Sequence, residues 1–406
     1  MVRALTVALA LAGCGGSGKG ADSGGGPGAG TAGTATGGPG TATGGAATGG
    51  TGTATGATGS GSALCTRVCG QDYTLVLAGA LVALEGCHTV TGSVTVSGAT
   101  ELLDLSEMSC LERVNGDLSL SGLESLGSLR GLERLVSVGG NFRIAEVPAL
   151  ADAGALSALQ IVGSELSLTD SAVIGLSLDA LATVGGPLTL ARNTALASLV
   201  APSVVRLGAV DLRDLPALGG LSLDALERVD ADLRAASMAG FTSVGLPSLT
   251  EVGGTLSIRE APAFVDLAGL GALAVVGGDL VLDDVGLRTV SGLGQLASVG
   301  GDVQVLGTSL VGMDALGGLD LGGGVVVQRN PDLLRLGVLL DLERVPGSVD
   351  VQDNAALMAL DADALEAVDG DLRITLNRGL CQSDVDALVD SVSVGGAVFV
   401  FGNAGC

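Results

Sequence analysis

The sequence predicts a mainly β fold: a parallel β-solenoid of about 14 coils of 22–24 residues, ending in a short capping helix. Three observations predict it. First, the phrase Val276-Gly277-Gly278-Asp279-Leu280-Val281-Leu282 recurs, with clear copies starting at Val138, Val184, Val252 and Val299. Looser copies start at Val90, Val114, Val162, Leu207, Val229, Leu321, Val345, Val368 and Val394, and successive starts lie 22 to 26 residues apart. A nearly fixed period of this size is the mark of stacked repeats, within the leucine-rich-repeat range. Second, the residues after the glycines alternate, Leu280 and Leu282 on one side and Val281 on the other, which reads as a short strand. Third, hydrophobics make up 47% of the chain and aromatics 1%, with mean hydropathy +0.58. After residue 13 no stretch offers the ~20 apolar residues of a spanning helix. The apolar content is spread as Leu, Val and Ala at the repeat period, giving a narrow aliphatic core that one coil cannot bury without the next.

Residues 1–13 carry Arg3 and then the apolar run Ala4–Ala12, a short signal peptide. The run ends in Leu11-Ala12-Gly13-Cys14, which resembles the lipobox of bacterial lipoproteins. That resemblance implies cleavage before Cys14 and transfer of a diacylglycerol to its thiol, and so a membrane anchor. Gly15 rather than Asp follows, which by the enterobacterial sorting rule points to the outer membrane; exposure at the cell surface is a separate expectation. Residues 14–62 form a tether. From 15 to 62 the chain has 21 glycines in 48 positions and no apolar run, so it is expected to be disordered. As a flexible coil it spans roughly 35–40 Å.

Residues 63–113 are the amino-terminal cap and first coils. Cys65, Cys69, Cys87, Cys110, Cys381 and Cys406 are an even set in an exported chain, so disulfides are expected. Cys87 and Cys110 lie 23 residues apart, about one coil, which favours that pair and leaves Cys65 to Cys69; Cys69–Cys87 with another pairing is the alternative. A zinc site from Cys65, Cys69, Cys87 and His88 matches no common ligand spacing.

The stretch Gly70-Gln-Asp-Tyr-Thr-Leu-Val-Leu77, then Leu84-Glu-Gly-Cys-His-Thr-Val-Thr-Gly-Ser-Val-Thr-Val96, resembles the opening of receptor L domains, the repeats of insulin-receptor and epidermal-growth-factor-receptor ectodomains. Many such repeats behind a lipobox also resemble myxobacterial surface lipoproteins. The resemblance covers about residues 70–402 and implies a right-handed β-helix-like solenoid that contacts protein ligands.

Residues 114–380 are the uninterrupted repeat. The Gly-Gly before each strand is expected to supply a tight turn able to take positive φ. Asn193, Asn330, Asn354 and Asn377 each fall nine residues after their repeat start, where an Asn can bond the backbone of the neighbouring coil. Asp117, Asp279, Asp302 and Asp371 share the position directly before the strand. Elsewhere Asn141, Pro187 and Thr255 occupy it, so a solvated turn is expected there, with Ca2+ binding the lesser alternative. Phe142, Phe241 and Phe264 read as core fillers. Residues 381–406 form the second cap, with Ser383 as N-cap of a helix whose Val385, Leu388, Val389 and Val392 make an apolar stripe. A strand over 397–401 follows, and a Cys381–Cys406 bridge closes the terminus.

Chemistry is sparse. The chain has one histidine, His88, and no nucleophile elbow, phosphate loop, dinucleotide fingerprint or zinc motif. Asp211-Leu-Arg-Asp214 and Asp283-Asp284 are the nearest thing to an acidic cluster with a base. No catalytic, cofactor or metal residue is assigned. Net charge is −24, +1 over residues 1–62 and −25 beyond, which disfavours nucleic acid and self-association. The expected function is a lipid-anchored, non-enzymatic interaction or structural module offering an acidic surface to an extracellular protein or other ligand. A passive spacer and a carbohydrate-active β-helix enzyme are the competing readings.

Overall fold

The computed structural model describes residues 65–406. The leader, Cys14 and the tether lie outside the described residues. The repeat region is mainly β, built on long parallel ladders with only short helices between them. One ladder runs through the strand of every repeat. Tyr73–Leu75 pairs with Val94–Ser97, which pairs with Leu118–Ser121, and so on in sequence order to Leu372–Thr375 and finally Val398–Phe401. All these pairings are parallel, and equivalent residues sit opposite one another, as in Leu256↔Leu280↔Val303. A second parallel ladder joins the residues just before the glycines, from Arg67–Cys69 to Asp320–Leu321, and resumes from Arg344–Val345 to Ser393–Val394. A third joins Gly175–Ser177, Ser198–Val200, Gly220–Ser222 and Ser243–Gly245. In other repeats short 3-10 turns take that side, such as Ala268–Leu270 and Ser291–Leu293.

The core is one continuous aliphatic column. Between the two end strands, each main strand buries the first and third residues of its repeated Leu-x-Leu-like phrase, so Leu280 and Leu282 are fully covered. Phe142, Phe241 and Phe264 are also fully buried, and the Phe241 and Phe264 rings stack with centroids 5.4 Å apart.

The glycine pair acts differently from expectation. None of the Val-Gly-Gly glycines has positive φ. Their role is close approach: a Cβ on Gly277 would lie 2.2 Å from the carbonyl oxygen of Gly253, and one on Gly300 2.3 Å from that of Gly277. The first glycines stack backbone on backbone, and any side chain would force the coils apart.

The left-handed residue sits at the other end of the strand. Each main strand from Val94 onward is followed at the corner by a residue of positive φ, glycine at Gly98, Gly122, Gly307 and Gly402. Elsewhere it is a side-chain-bearing residue such as Asp170, Arg192, Asp284, Asp353 or Leu376. The corner turns the chain inward, so the next residue points into the core.

Both ends carry disulfides; at the first the alternative pairing is formed in place of the favoured Cys87–Cys110, and at the second the expected bridge is formed. Cys65 bonds Cys110 and Cys69 bonds Cys87, while Cys381 bonds Cys406. The physical reason is phase. Cys87 lies three residues before Val90 but Cys110 four before Val114, so the two do not stack. Cys69 holds the repeat-start position, opposite Val90, with its Cα 5.9 Å from that of Cys87. The helix runs over Gln382–Ser391 with Cys381, not Ser383, at its N-cap, and no side chain caps it. Val385 and Val392 are buried, and Leu388 and Val389 pack against the core as partly buried residues. This helix lies within the last coil's path, between Leu372–Thr375 and Val398–Phe401, and that final strand is left exposed.

Candidate functional site

Two polar ladders hold neighbouring coils together. The first lies inside the corner. Asn193, Asn330, Asn354 and Asn377 are all fully buried. The Asn330 Nδ2 donates to Val305 O at 3.0 Å and to Asn354 Oδ1 at 3.1 Å, and its backbone N–H also donates to Asn354 Oδ1. Asn354 makes the same set with Val327 O and Asn377 Oδ1, and Asn377 with Val351 O and the Oδ1 of Asn403. Asn403 was missed at the sequence level, although it too stands nine residues after its repeat start. Asn193 stands apart, accepting from Ser171 N and Oγ and donating to Leu168 O.

The second ladder corrects the expected solvated turn. Asp117 Oδ1 accepts the backbone N–H of Asn141 at 2.6 Å, Asp279 Oδ1 that of Asp302 at 2.9 Å, and Asp302 Oδ1 that of Gly324 at 2.6 Å. Asp371 does the same to Ala397. The carboxylates are part-buried acceptors for orphan donors of the next coil, which explains why Ser, Thr and Asn substitute for Asp there. Ser93 and Ser348 accept from Asp117 N and Asp371 N in the same way. These oxygens are therefore spent on backbone, and among the described residues no group of three His, Cys, Asp or Glu is gathered as a metal would need. The sulfurs beside His88 are likewise consumed in disulfides.

The remaining chemistry lies on the outward side of the long ladder. The second residue of each strand points out, and in register these read Thr189, Asp211, Arg234, Ser257, Val281 and Gln304. The fourth residues read Ala191, Arg213, Ala236, Arg259, Asp283 and Leu306. Small side chains between charged ones leave a depression of about 390 Å³ lined by Asp211, Arg213, Arg234, Ser257 and Arg259. Arg213 Nε pairs with Asp211 at 2.9 Å and Arg234 Nη2 with Asp232 at 2.8 Å, while Arg259 Nε donates to Ser257 Oγ at 3.1 Å. At its edge, burial, and then the charge of Asp284, push the Asp283 carboxyl up from its ordinary range. The Arg329 guanidinium approaches Asp283 only to 3.6 Å.

Asp211 and Asp283, the two sequence candidates for acid chemistry, thus belong to one face, while Asp214 and Asp284 are the left-handed corner residues beyond it. Farther along the same face, Asp350 is also pushed up by burial. Near the end Arg373 lies over the Phe399 ring, 4.8 Å from its centroid. Comparison with protein-family models, curated proteins and solved structures gave no match.

Proposed function

We propose that this chain is a lipid-anchored cell-envelope interaction module, a right-handed solenoid of 14 coils of the receptor L-domain kind. In this reading it is held at Cys14 in the outer membrane with the solenoid outside the cell, and it is not an enzyme. The observation that carries the reading is the uneven outward face of the long sheet. Charged side chains group on neighbouring strands around one depression, with Asp211, Arg213, Arg234, Arg259 and Asp283 within it or at its edge. A passive spacer needs only uniform solubility and has no use for such grouping. A hydrolase would need a pair of acids facing one substrate, whereas Asp211 is paired with Arg213 and the turn carboxylates are tied to backbone, which leaves Asp283 at the edge as a single acid.

The test is site-specific photo-crosslinking in intact cells, with the reactive residue at Arg234 on the face or at Ser203 away from it. An interaction module gives an adduct from position 234 that is absent from 203 and lost in Cys14→Ser. Equal labelling or none at both positions, with the chain present at the surface by protease shaving, would leave the spacer reading.

A further inference from the structure

The ends of the ladders are unlike their middles. Among the described residues Val398–Phe401 pairs on one side only, with Leu372–Thr375, and Tyr73–Leu75 only with Val94–Ser97. The repeat fixes what each free edge offers. Along the ladder the first N–H of a strand donates forward to the residue before the next strand, as in Tyr73 N to Ser93 O, Val349 N to Asp371 O and Leu372 N to Ala397 O. The corner N–H does the same, Gly98 to Ser121 O and Leu376 to Phe401 O. By that pattern Val398 N, Val400 N and Gly402 N point forward to no coil among the described residues. At the other end the oxygens of Asp72, Thr74 and Val76 stand where a preceding coil's donors would reach. The side ladder is open in the same way, with Ser393–Val394 at one end and Arg67–Cys69 at the other. Apolar side chains crowd both edges: Val398 is 43% and Phe401 58% exposed at one, and Val68 59% and Val76 55% at the other.

We infer that the carboxy-terminal edge docks the amino-terminal edge of a second copy of this chain, so that both ladders continue from one molecule into the next. In this register Val398 meets Tyr73, Phe399 meets Thr74, Val400 meets Leu75 and Phe401 meets Val76. Val394 meets Cys69 on the side ladder. A second copy is favoured over a lone extended peptide for a geometric reason. One strand can pair with Val398–Phe401 but leaves Ser393–Val394 and the open core end uncovered, whereas a solenoid end presents both strands at the repeat's own spacing and twist. The contact is heterologous, head to tail, and therefore builds chains rather than a closed dimer. It also uses the exposed edge that a parallel sheet otherwise leaves as a liability. The charge of −24 opposes it, so association is weak and rises with salt.

The experiment is sedimentation velocity on the full chain carrying Cys14→Ser. Three forms are compared: the otherwise unchanged chain, a carboxy-edge variant Val398→Asp/Phe401→Asp, and an amino-edge variant Val68→Asp/Val76→Asp. All four positions are exposed, and unchanged unfolding midpoints establish that the variants fold. The unchanged chain is expected to form a concentration-dependent series of species with a dissociation constant on the order of 10 µM. Each variant alone is expected to be monomeric at tenfold higher concentration. An equimolar mixture of the two retains one intact edge of each kind and is expected to give a heterodimer and nothing larger. A monomeric unchanged chain at about 100 µM overturns the inference. So does a mixture that stays monomeric, or association abolished by the carboxy-edge variant but not by the amino-edge one, which would mean that like ends meet.

Discussion

The corner of the coil is filled in two ways: the last four coils place an asparagine there, whereas of the earlier coils only the one with Asn193 does. In the coils around Val147, Ser171, Ala261 and Val285 the residue after the left-handed turn is apolar or small, the strands run to six residues, and backbone pairing resumes across the corner, as in Ser171↔Val147 and Ala261↔Val285. In the last coils the same position is Asn330, Asn354, Asn377 and Asn403, and the strands stop at four residues. There the amide side chains do what the extra backbone pair does elsewhere: they accept the N–H of the previous coil and donate to its strand carbonyl. The same backbone shape thus tolerates either solution. Their energetics differ, because a buried amide is bound to its neighbours on both sides and a buried methyl is not.

The largest effect should come from breaking the amide ladder. Asn354→Leu removes the acceptor of the Asn330 N–H and Nδ2 and the donor to Val327 O, all buried. Stranded buried groups cost about 1–3 kcal/mol each, so a total of at least about 3 kcal/mol is expected by denaturant unfolding. Amide exchange should speed first in the coils from Val325 onward. In contrast, Val147→Ala in the apolar corner strands no hydrogen bond and should cost about 2 kcal/mol, for lost contacts and a small cavity. If the two substitutions cost the same, the amides contribute no more than volume and the contrast between the two kinds of corner collapses.

The sequence announces the amide corner because its offset from the repeat start is constant, and Asn403 obeys the same offset. The parallel pairing is equally legible, since the Leu280-Val281-Leu282 pattern fixes which residues face inward. The left-handed turn is hidden, because Asp353, Arg329 and Leu376 occupy it as freely as Gly402 does. The glycines that do stand out serve backbone contact between coils, a constraint that only stacking reveals. Disulfide pairing cannot be read from a separation of one period: Cys87 and Cys110 are 23 residues apart yet differ by one residue in phase, a difference that only counting from Val90 and Val114 reveals. The charged depression also escapes a linear reading, because Asp211, Arg234 and Arg259 come together only through register.

A smaller effect sharpens the comparison at the turn itself. Leu376 is half-exposed and held at φ 61°, where a β-carbon is crowded, whereas Gly98 and Gly122 fill that place in the first coils. Leu376→Gly should relieve that crowding and stabilise the chain by about 0.5–1 kcal/mol, net of the greater freedom glycine has when unfolded. A loss of stability instead would mean that Leu376 contributes more through its contacts at the last coil than its backbone costs.

The smallest effect separates two carboxylates of different coils by their surroundings. In the earlier coils Asp170 receives Arg192 Nε and Nη2, both at 2.7 Å, and that hydrogen-bonded guanidinium holds its carboxyl below the usual range. Later, Asp350 is half-buried on the sheet face. Arg373 comes no nearer than 3.6 Å while lying over Phe399, and burial pushes the Asp350 carboxyl up. The two signs are opposite. A depressed carboxyl adds stability above its unfolded pKa and loses it as pH falls through the folded value. A raised carboxyl holds its proton more tightly in the fold, so its contribution is full below the unfolded value of about 3.9 and is lost as pH rises through the folded one. Asp350→Asn keeps the shape and removes the charge. It should raise the melting midpoint at neutral pH by about 1 °C and flatten the decline in stability as pH rises from about 4. Asp170→Asn should lower the neutral midpoint slightly and weaken the loss on acidification. Equal responses from the two variants would place Asp350 in as good an ion pair as Asp170 and erase the electrostatic difference between the two sites.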